Sequence, residues 1–426
     1  MYTDTGMRIV AIISILHTLL ATATIAQPVI EWTNGFWYDG VTFRKVIFYS
    51  VNGLLTGTRP AQIDSSIDLK GQYVIPPFGE AHNHAPDIEK DFELINERYL
   101  ADGIFYVKNP NSIPFTTNTI KSRIKQPGTV DVVYANGGIT AYGGHPVILY
   151  QYLLTTIYKT VLPGWTERSM EGQAYYRINH KEELEKKWPF ILADKPGFIK
   201  GYLLYSEEYT LRKDDTSFNG KKGLNPKLLP LLVQKANAAG LHVSCHVETP
   251  TDLRYAVKAR VQEINHLPGY QVRWKEGYDE NYYRIPHAVL RRMKRFGIHA
   301  DATYSLGETE LIESDSTRYA ARKQLQIRNL QRIRKHAIPL TIGSDSYNKT
   351  ARTEMQYLQQ LGVFSNQELL QMWCINTPVA IFPNRKIAKL QEGYEASFLV
   401  LQQNPLIYFN AVYDIRLRVK QGIPLW

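Results

Sequence analysis

Apolar strands that end on polar, chemistry-bearing residues alternate with helices along most of this chain, and that alternation restricts the fold more than any other feature. The clearest stretch runs from Asn225 to His266. Pro226 suits the first turn of a helix that continues to Ala239, where Gly240 stops it. A strand follows from Leu241 to His246, then a helix from Asp252 to Arg260, then a strand ending Glu263-Ile264-Asn265-His266. The unit returns downstream: Ile285 to Phe296 reads as helix, Gly297 as its stop, and Ile298 to Tyr304 as strand. A long basic helix reaches His336, the strand Ile338 to Asp345 follows, and Ser365 with Glu368 forms a capping box for a further helix. Parallel strands need long crossovers, usually helical, so this order predicts an α/β fold with a parallel sheet. A (β/α)8 TIM-like barrel fits the span 76–390.

The flanks read differently. From Ile30 to Asp68 the chain is rich in Val, Ile, Phe, Tyr and Trp, with turn signals at Asn34-Gly35, Asp39-Gly40 and Asn52-Gly53, which predicts short antiparallel strands. Strand patterns return at Ala396 to Gln402 and Ala411 to Val419. The two ends, 27–75 and 391–426, are expected to join in one small β-sandwich domain. Ahead of them, Arg8 is followed by an apolar run from Ile9 to Ala26 that ends in small residues before Gln27. Residues 1–26 thus have the parts of a secretory signal peptide. His17 and several threonines in the run favour cleavage over a retained anchor, so a secreted or periplasmic mature chain with no membrane span is expected.

Two cysteines, Cys245 and Cys374, cannot build a disulfide framework or a cysteine zinc site, and are read as free buried thiols. The net charge of +10 gathers in Arg291 to Arg295 and in the run from Arg322 to Lys335. Both lie in helical patterns and read as solvated outer faces. Without a groove-reading or base-stacking motif the charge does not indicate nucleic-acid binding, and attraction to an anionic membrane surface stays open. Self-association into a homo-oligomer stays open.

His82-Asn83-His84 ends an apolar strand, and residues i and i+2 of a strand share a face, so both imidazoles can approach one cation. His246 and His266 end consecutive strands one βα unit apart, which a barrel brings together. Asp345 ends the strand Ile338 to Asp345, where a carboxylate needs a partner or a metal. Lys200, in Gly197-Phe-Ile-Lys-Gly-Tyr, sits in a strand-like run. Burial would favour its neutral amine, able to take up CO2 as a carbamate; pairing with Glu207 or Glu208 is the alternative. Tyr202, Tyr205, Tyr209, Trp274, Tyr282 and Tyr283 are candidates for a cleft wall, or for core and surface.

The string VIPPFGEAHNH resembles the first-strand signature of the amidohydrolase superfamily, and HVSCHVET, EINHLPG, TIGSDS and the closing ASFLVLQQNPL follow in the same order. The resemblance spans nearly all of the chain after residue 26 and points to the dipeptidase and imidazolonepropionase-like branch. It implies that His82, His84 and Asp345 hold a divalent cation, zinc in the usual case. It further implies that His246 and His266 hold a second, that a carbamylated Lys200 bridges the pair, and that Asp345 moves the proton. The loop from Asn136 to His145 resembles the GGH loop of dipeptidase-like members, which puts His145 toward the scissile carbonyl. Gly79-Glu80 stands where the signature has Ile-Asp, so Glu80 either keeps that contact or the contact is lost.

The expected activity is hydrolysis of a C–N bond, amide, peptide-like or cyclic, in a small molecule by a metal-activated hydroxide. The same ligands would serve a lactonase or a phosphoesterase. A catalytically inactive metal-binding barrel is the reading from another class.

Overall fold

The computed structural model describes residues 27–274, 277–306 and 315–425. The signal peptide expected at 1–26 lies outside them. Five strands open the chain: β1 (Ile30–Tyr38), β2 (Phe43–Val51), β3 (Leu54–Thr56), β4 (Ser65–Asp68) and β5 (Tyr73–Ile75). Three close it: β16 (Phe398–Leu401), β17 (Ile415–Lys420) and β18 (Ile423–Leu425). All eight share one sheet, in which β16 from the end of the chain pairs with β5 from its start. Trp32 and Trp37 of β1 meet Phe398 of β16 edge-on at 4.9 and 5.0 Å in a core of their own.

Two expectations for this region are corrected. Asn34-Gly35 is not a turn but a bulge inside β1, where the pairing to β2 shifts register between Trp32 and Gly35. Asn34 takes φ 55° there, a left-handed conformation that Asn tolerates. A Cβ on Gly35 would come within 2.6 Å of Leu69. Nor are the strands all antiparallel: β4 and β5 run parallel to β1.

Between these flanks lie the parallel strands. β6 (Phe78–Glu80), β7 (Ile104–Asn109) and β8 (Asp131–Tyr134) form one sheet. A second, seven-stranded sheet contains β9 (Gly138–Thr140), β10 (Tyr175–Arg177), β11 (Ile199–Tyr202), β12 (Val243–His246), β13 (Glu263–Asn265), β14 (His299–Asp301) and β15 (Leu340–Thr341). Backbone hydrogen bonds join the two sheets on both sides. Gly197 N donates to Tyr134 O at 2.8 Å, linking β11 to β8, and Ala81 N donates to Ile342 O at 2.7 Å, linking β6 to β15. The apolar run from Tyr73 to Ala81 is therefore two strands, not one. Pro76 and Pro77 lack the N–H groups a ladder needs, and at them the chain leaves the outer sheet for the inner one.

Helices alternate with the inner strands: α1 (Phe92–Ala101), α2 (Pro114–Ile120), α3 (Val147–Thr155), α4 (Glu167–Met170), α5 (Lys181–Ala193) and α6 (Tyr209–Arg212). The series continues with α7 (Leu229–Ala238), α8 (Pro250–Ala259), α9 (His287–Phe296), α10 (Ser316–Lys335), α11 (Ala351–Gln360), α12 (Asn366–Gln371) and α13 (Thr377–Ile381). Gly297 ends α9 in the left-handed region at φ 66°, as its position in the sequence suggested. Ser365 and Glu368 cap α12 reciprocally. Both cysteines are free and buried. Among the described residues no helix is long and apolar enough to cross a membrane.

Candidate metal centre

The candidate metal ligands and His145 face one cavity of about 300 Å3 beyond the carboxyl ends of the parallel strands, shared by His82, His84, His145, Lys200, His246, His266 and Asp345. His82 and His84 follow β6, Lys200 lies within β11 and His246 ends β12. His266 and Asp345 lie just past β13 and β15, in left-handed conformations of φ 66° and 47°. Such geometry in residues with a Cβ costs roughly 1–3 kcal/mol and collects at functional sites.

The tightest part joins His82, His266 and Asp345, whose ligand atoms all lie within 4.8 Å of one another. Asp345 Oδ1 is 3.2 Å from His84 Nε2 and 3.4 Å from His82 Nε2. Burial alone would raise the Asp345 carboxyl, but the imidazoles of His82, His84 and His266 outweigh it and hold the group well below its ordinary range. Burial keeps His82, His246 and His266 below the usual histidine value, so their rings are neutral and can offer lone pairs. The rings of His246 and His266 lie 4.6 Å apart. His246 Nε2 is buried with no hydrogen-bond partner, 3.5 Å from Glu248 Oε1. An orphaned imidazole nitrogen beside other imidazoles and a carboxylate fits a divalent cation of the kind bound by nitrogen and oxygen donors.

Lys200 is fully buried and donates to Asn265 Oδ1. Pairing with Glu207 or Glu208 does not occur. Glu207 is bonded by Tyr282 and Thr249, and Glu208 by Arg212 and Tyr278. Burial, partly opposed by the charges of Asp301 and Glu263, brings the Lys200 amine down to about 8. His145 lies beside His246 at 5.2 Å between rings and beside Tyr202 at 5.3 Å. Burial, then the neighbouring His246, pushes its imidazole down to about 3. The ring is neutral and offers one N–H donor. Of the aromatic candidates Tyr202 lines the cavity, whereas Tyr205 and Tyr283 bond each other in a neighbouring core.

Of the groups that hold these side chains, sequence reasoning named Glu80 and missed Asp301 and Glu248. Asp301, fully buried at the end of β14, accepts from His82 Nδ1 at 3.2 Å, from Asn265 Nδ2 at 2.8 Å and from the His266 backbone at 3.0 Å. Glu80 accepts from the His82 backbone and twice from Ser344, which ties the chain after β6 to the loop after β15. Glu248 accepts from Tyr270 at 2.7 Å, and both line the cavity with Tyr150, Tyr347 and Arg273. A carboxylate ending an apolar strand was the signal that exposed Asp345, and the same signal stands at Asp301. His242, just before β12, opens into a separate cavity at the opposite ends of the strands, beside Lys108, Glu263 and His299.

Parallel strands alternate with helices, with imidazoles and a carboxylate gathered at the strands' carboxyl ends, and in fold the chain is similar to solved amidohydrolases. The resemblance in its motifs is borne out by solved structures. That of Aspergillus niger ochratoxinase superposes with a TM-score of 0.71 at 17% identity, over 93% of this chain and 95% of the other. A Xaa-Pro dipeptidase with methionine in its active site gives 0.71 at 14% identity over 93% and 99%. A molinate hydrolase gives 0.71 at 14% over 94% and 95%. In sequence, the ochratoxinase of Aspergillus niger is 24% identical over 191 residues, which is 43% of this chain. That stretch spans only 37% of the relative's length. No protein-family model matches the chain.

Proposed function

We propose that this protein is an exported, metal-dependent amidohydrolase that cleaves a C–N bond in a small amide, peptide-like or cyclic. The observation that carries the reading is the convergence of four strand-end imidazoles, Lys200 and Asp345 on one cavity. The relatives named above include a dipeptidase and other hydrolases, which supports the same class.

His82, His84 and Asp345 would hold one divalent cation and His246 and His266 a second, with Lys200 as a bridging carbamate; zinc suits this donor set. When bound, such ions lower the pKa of water toward neutrality and polarise a carbonyl. Asp345, ionised at neutral pH, takes the proton of the attacking water and passes it to the departing nitrogen. His145, neutral and across the cavity, donates its N–H to the oxygen that gains charge as the carbonyl turns tetrahedral. Water and amide become a carboxylate and an amine.

The strands β6, β7, β8 and β11 to β15 are read as a closed (β/α)8 barrel, supported by the backbone bonds that join the two parallel sheets on both sides. Residues 76–390 would make this domain. Residues 27–75 and 391–426 would make the β-sandwich, supported by the pairing of β16 with β5. Residues 1–26 are read as a cleaved signal that sends the chain to the periplasm or outside the cell.

The test is to purify the form beginning at Gln27 and measure metal per chain with bicarbonate present. Dipeptides, N-acyl amino acids and lactones are then screened as substrates. Amide turnover that disappears on metal stripping and in Asp345→Asn supports the proposal. Lactone turnover alone, or an Asp345→Asn variant with full turnover, overturns it. Two metals per chain falling to one in Lys200→Ala would establish the bridge, and an unchanged ratio would remove it.

A further inference from the structure

Three neighbouring helices carry most of the surplus charge of this chain. α8 packs against α9, and α9 against α10. Their exposed side chains include Arg254 and Lys258 of α8, Arg291 and Arg292 of α9, and Arg328 and Lys335 of α10. None of these six enters an ion pair among the described residues. The three helices contain a single acidic residue, Asp252, which is buried and caps α8. The cations act on one another across the helix boundaries. Burial, then the charges of Arg284 and Arg328, lowers Arg332. His287 of α9 is lowered by desolvation and then by Arg332, His336, Lys335 and Arg291. Some surface cations do meet carboxylates: Arg177 sits between Glu167 and Glu171, Lys235 meets Glu185, and on α10 Arg334 meets Glu368 and Arg318 meets Asp315.

We infer that the outer face of α8, α9 and α10 is a docking surface for an anionic phospholipid bilayer, held by electrostatic attraction to headgroup phosphates. The chemistry favours a lipid surface over a nucleic acid. The face is the outside of three side-by-side helices, and among the described residues no element projects from it into a groove. It carries no exposed large hydrophobic residue and no exposed aromatic ring on which bases could stack. The lack of an apolar wedge also makes the contact peripheral and reversible. A Lys or Arg near such a surface is attracted within about a Debye length, roughly 10 Å at 0.1 M salt. The inference does not depend on the reaction proposed above.

The experiment is co-sedimentation of the chain from Gln27 with vesicles of phosphatidylcholine containing about 30 mol% phosphatidylserine, as a model of an anionic leaflet. Binding is expected to exceed that to pure phosphatidylcholine by at least about tenfold and to fall by a similar factor between roughly 50 and 200 mM salt, through screening. The variant Arg291→Glu, Arg292→Glu, Arg328→Glu should lose that binding while melting where the parent does. A control with the same change in net charge, Lys159→Glu, Lys181→Glu, Lys186→Glu, reverses exposed lysines outside α8, α9 and α10 and should keep most of it. Equal loss in the control, equal binding to neutral vesicles, or tighter binding to duplex DNA at matched phosphate would each overturn the inference.

Discussion

Asp301 Oδ2 lies 3.2 Å from Nδ1 of His82, and the opposite nitrogen of that ring lies 3.4 Å from Asp345. One buried carboxylate therefore fixes the tautomer and aim of the imidazole that the other carboxylate needs. Replacing Asp301 by Asn keeps the shape and removes the charge. Loss of such a supporting carboxylate typically lowers metal affinity about 10–100-fold. Titration of the metal-free protein with zinc should show that fall for Asp301→Asn. Parental affinity in the variant would mean that Asp301 only fills space.

Gly343 stands against the backbone of His82. A Cβ there would come to 2.6 Å from the His82 Cβ and 2.8 Å from its N. Neither atom can swing aside, so Gly343→Ala must displace the strand end that carries both histidines. A loss of about 1–3 kcal/mol in unfolding free energy is expected, as for other overpacked sites, together with weaker metal binding. A variant of undiminished stability would show that the two chain segments can part freely.

His145 is pushed down to about 3 and so remains neutral over the working pH range. If it donates to the developing oxyanion, His145→Ala should lower kcat by roughly 100–1000-fold, the usual effect of losing one such donor. KM should move little, and the pH profile should keep its shape, because the ring does not titrate there. A change confined to KM would make His145 a binding residue.

Glu354 of α11 is fully buried and accepts the backbone N–H groups of Tyr304 and Ser305 at 2.9 and 2.7 Å. Burial, only partly offset by these bonds, raises its carboxyl from 4.5 to about 7. Between those values the folded chain holds a proton that the unfolded chain has released. The contribution of Glu354 to stability therefore falls as pH rises from about 4.5 to 7, by an amount on the order of 3 kcal/mol. Denaturant unfolding across that interval should show the decline in the parent and a shallower slope in Glu354→Gln. Identical slopes would place the proton elsewhere.

The candidate site was more legible in the sequence than the small outer sheet, for a physical reason. A histidine or lysine in an apolar strand is an anomaly that one position reveals, and His246, His266 and Lys200 each stood out in that way. Asp301 carries the same signal but was passed over: its strand reads His299-Ala300-Asp301, with polar residues at both ends, and lacks the long apolar run that made Asp345 conspicuous. The bulge at Asn34-Gly35 was misread because the same dipeptide suits a turn and a bulge. Which one forms depends on β2 continuing to pair beyond it, as Phe43 does with Tyr38. The strand break at Pro76-Pro77 was printed in the sequence, but its meaning depends on β5 pairing with β16.

His84 and Asp345 touch across 261 positions of chain, and the backbone N–H of Asp345 closes onto the carbonyl of His82 at 2.7 Å. A growing polypeptide thus releases all four imidazoles and Lys200 from the ribosome well before the carboxylate that completes the group. Closing so long a loop carries an entropic penalty that only the finished inner strands can offset. Chains truncated or stalled before Asp345 should therefore hold their histidines apart, and the centre should become competent only once Asp345 has emerged and closed onto His82.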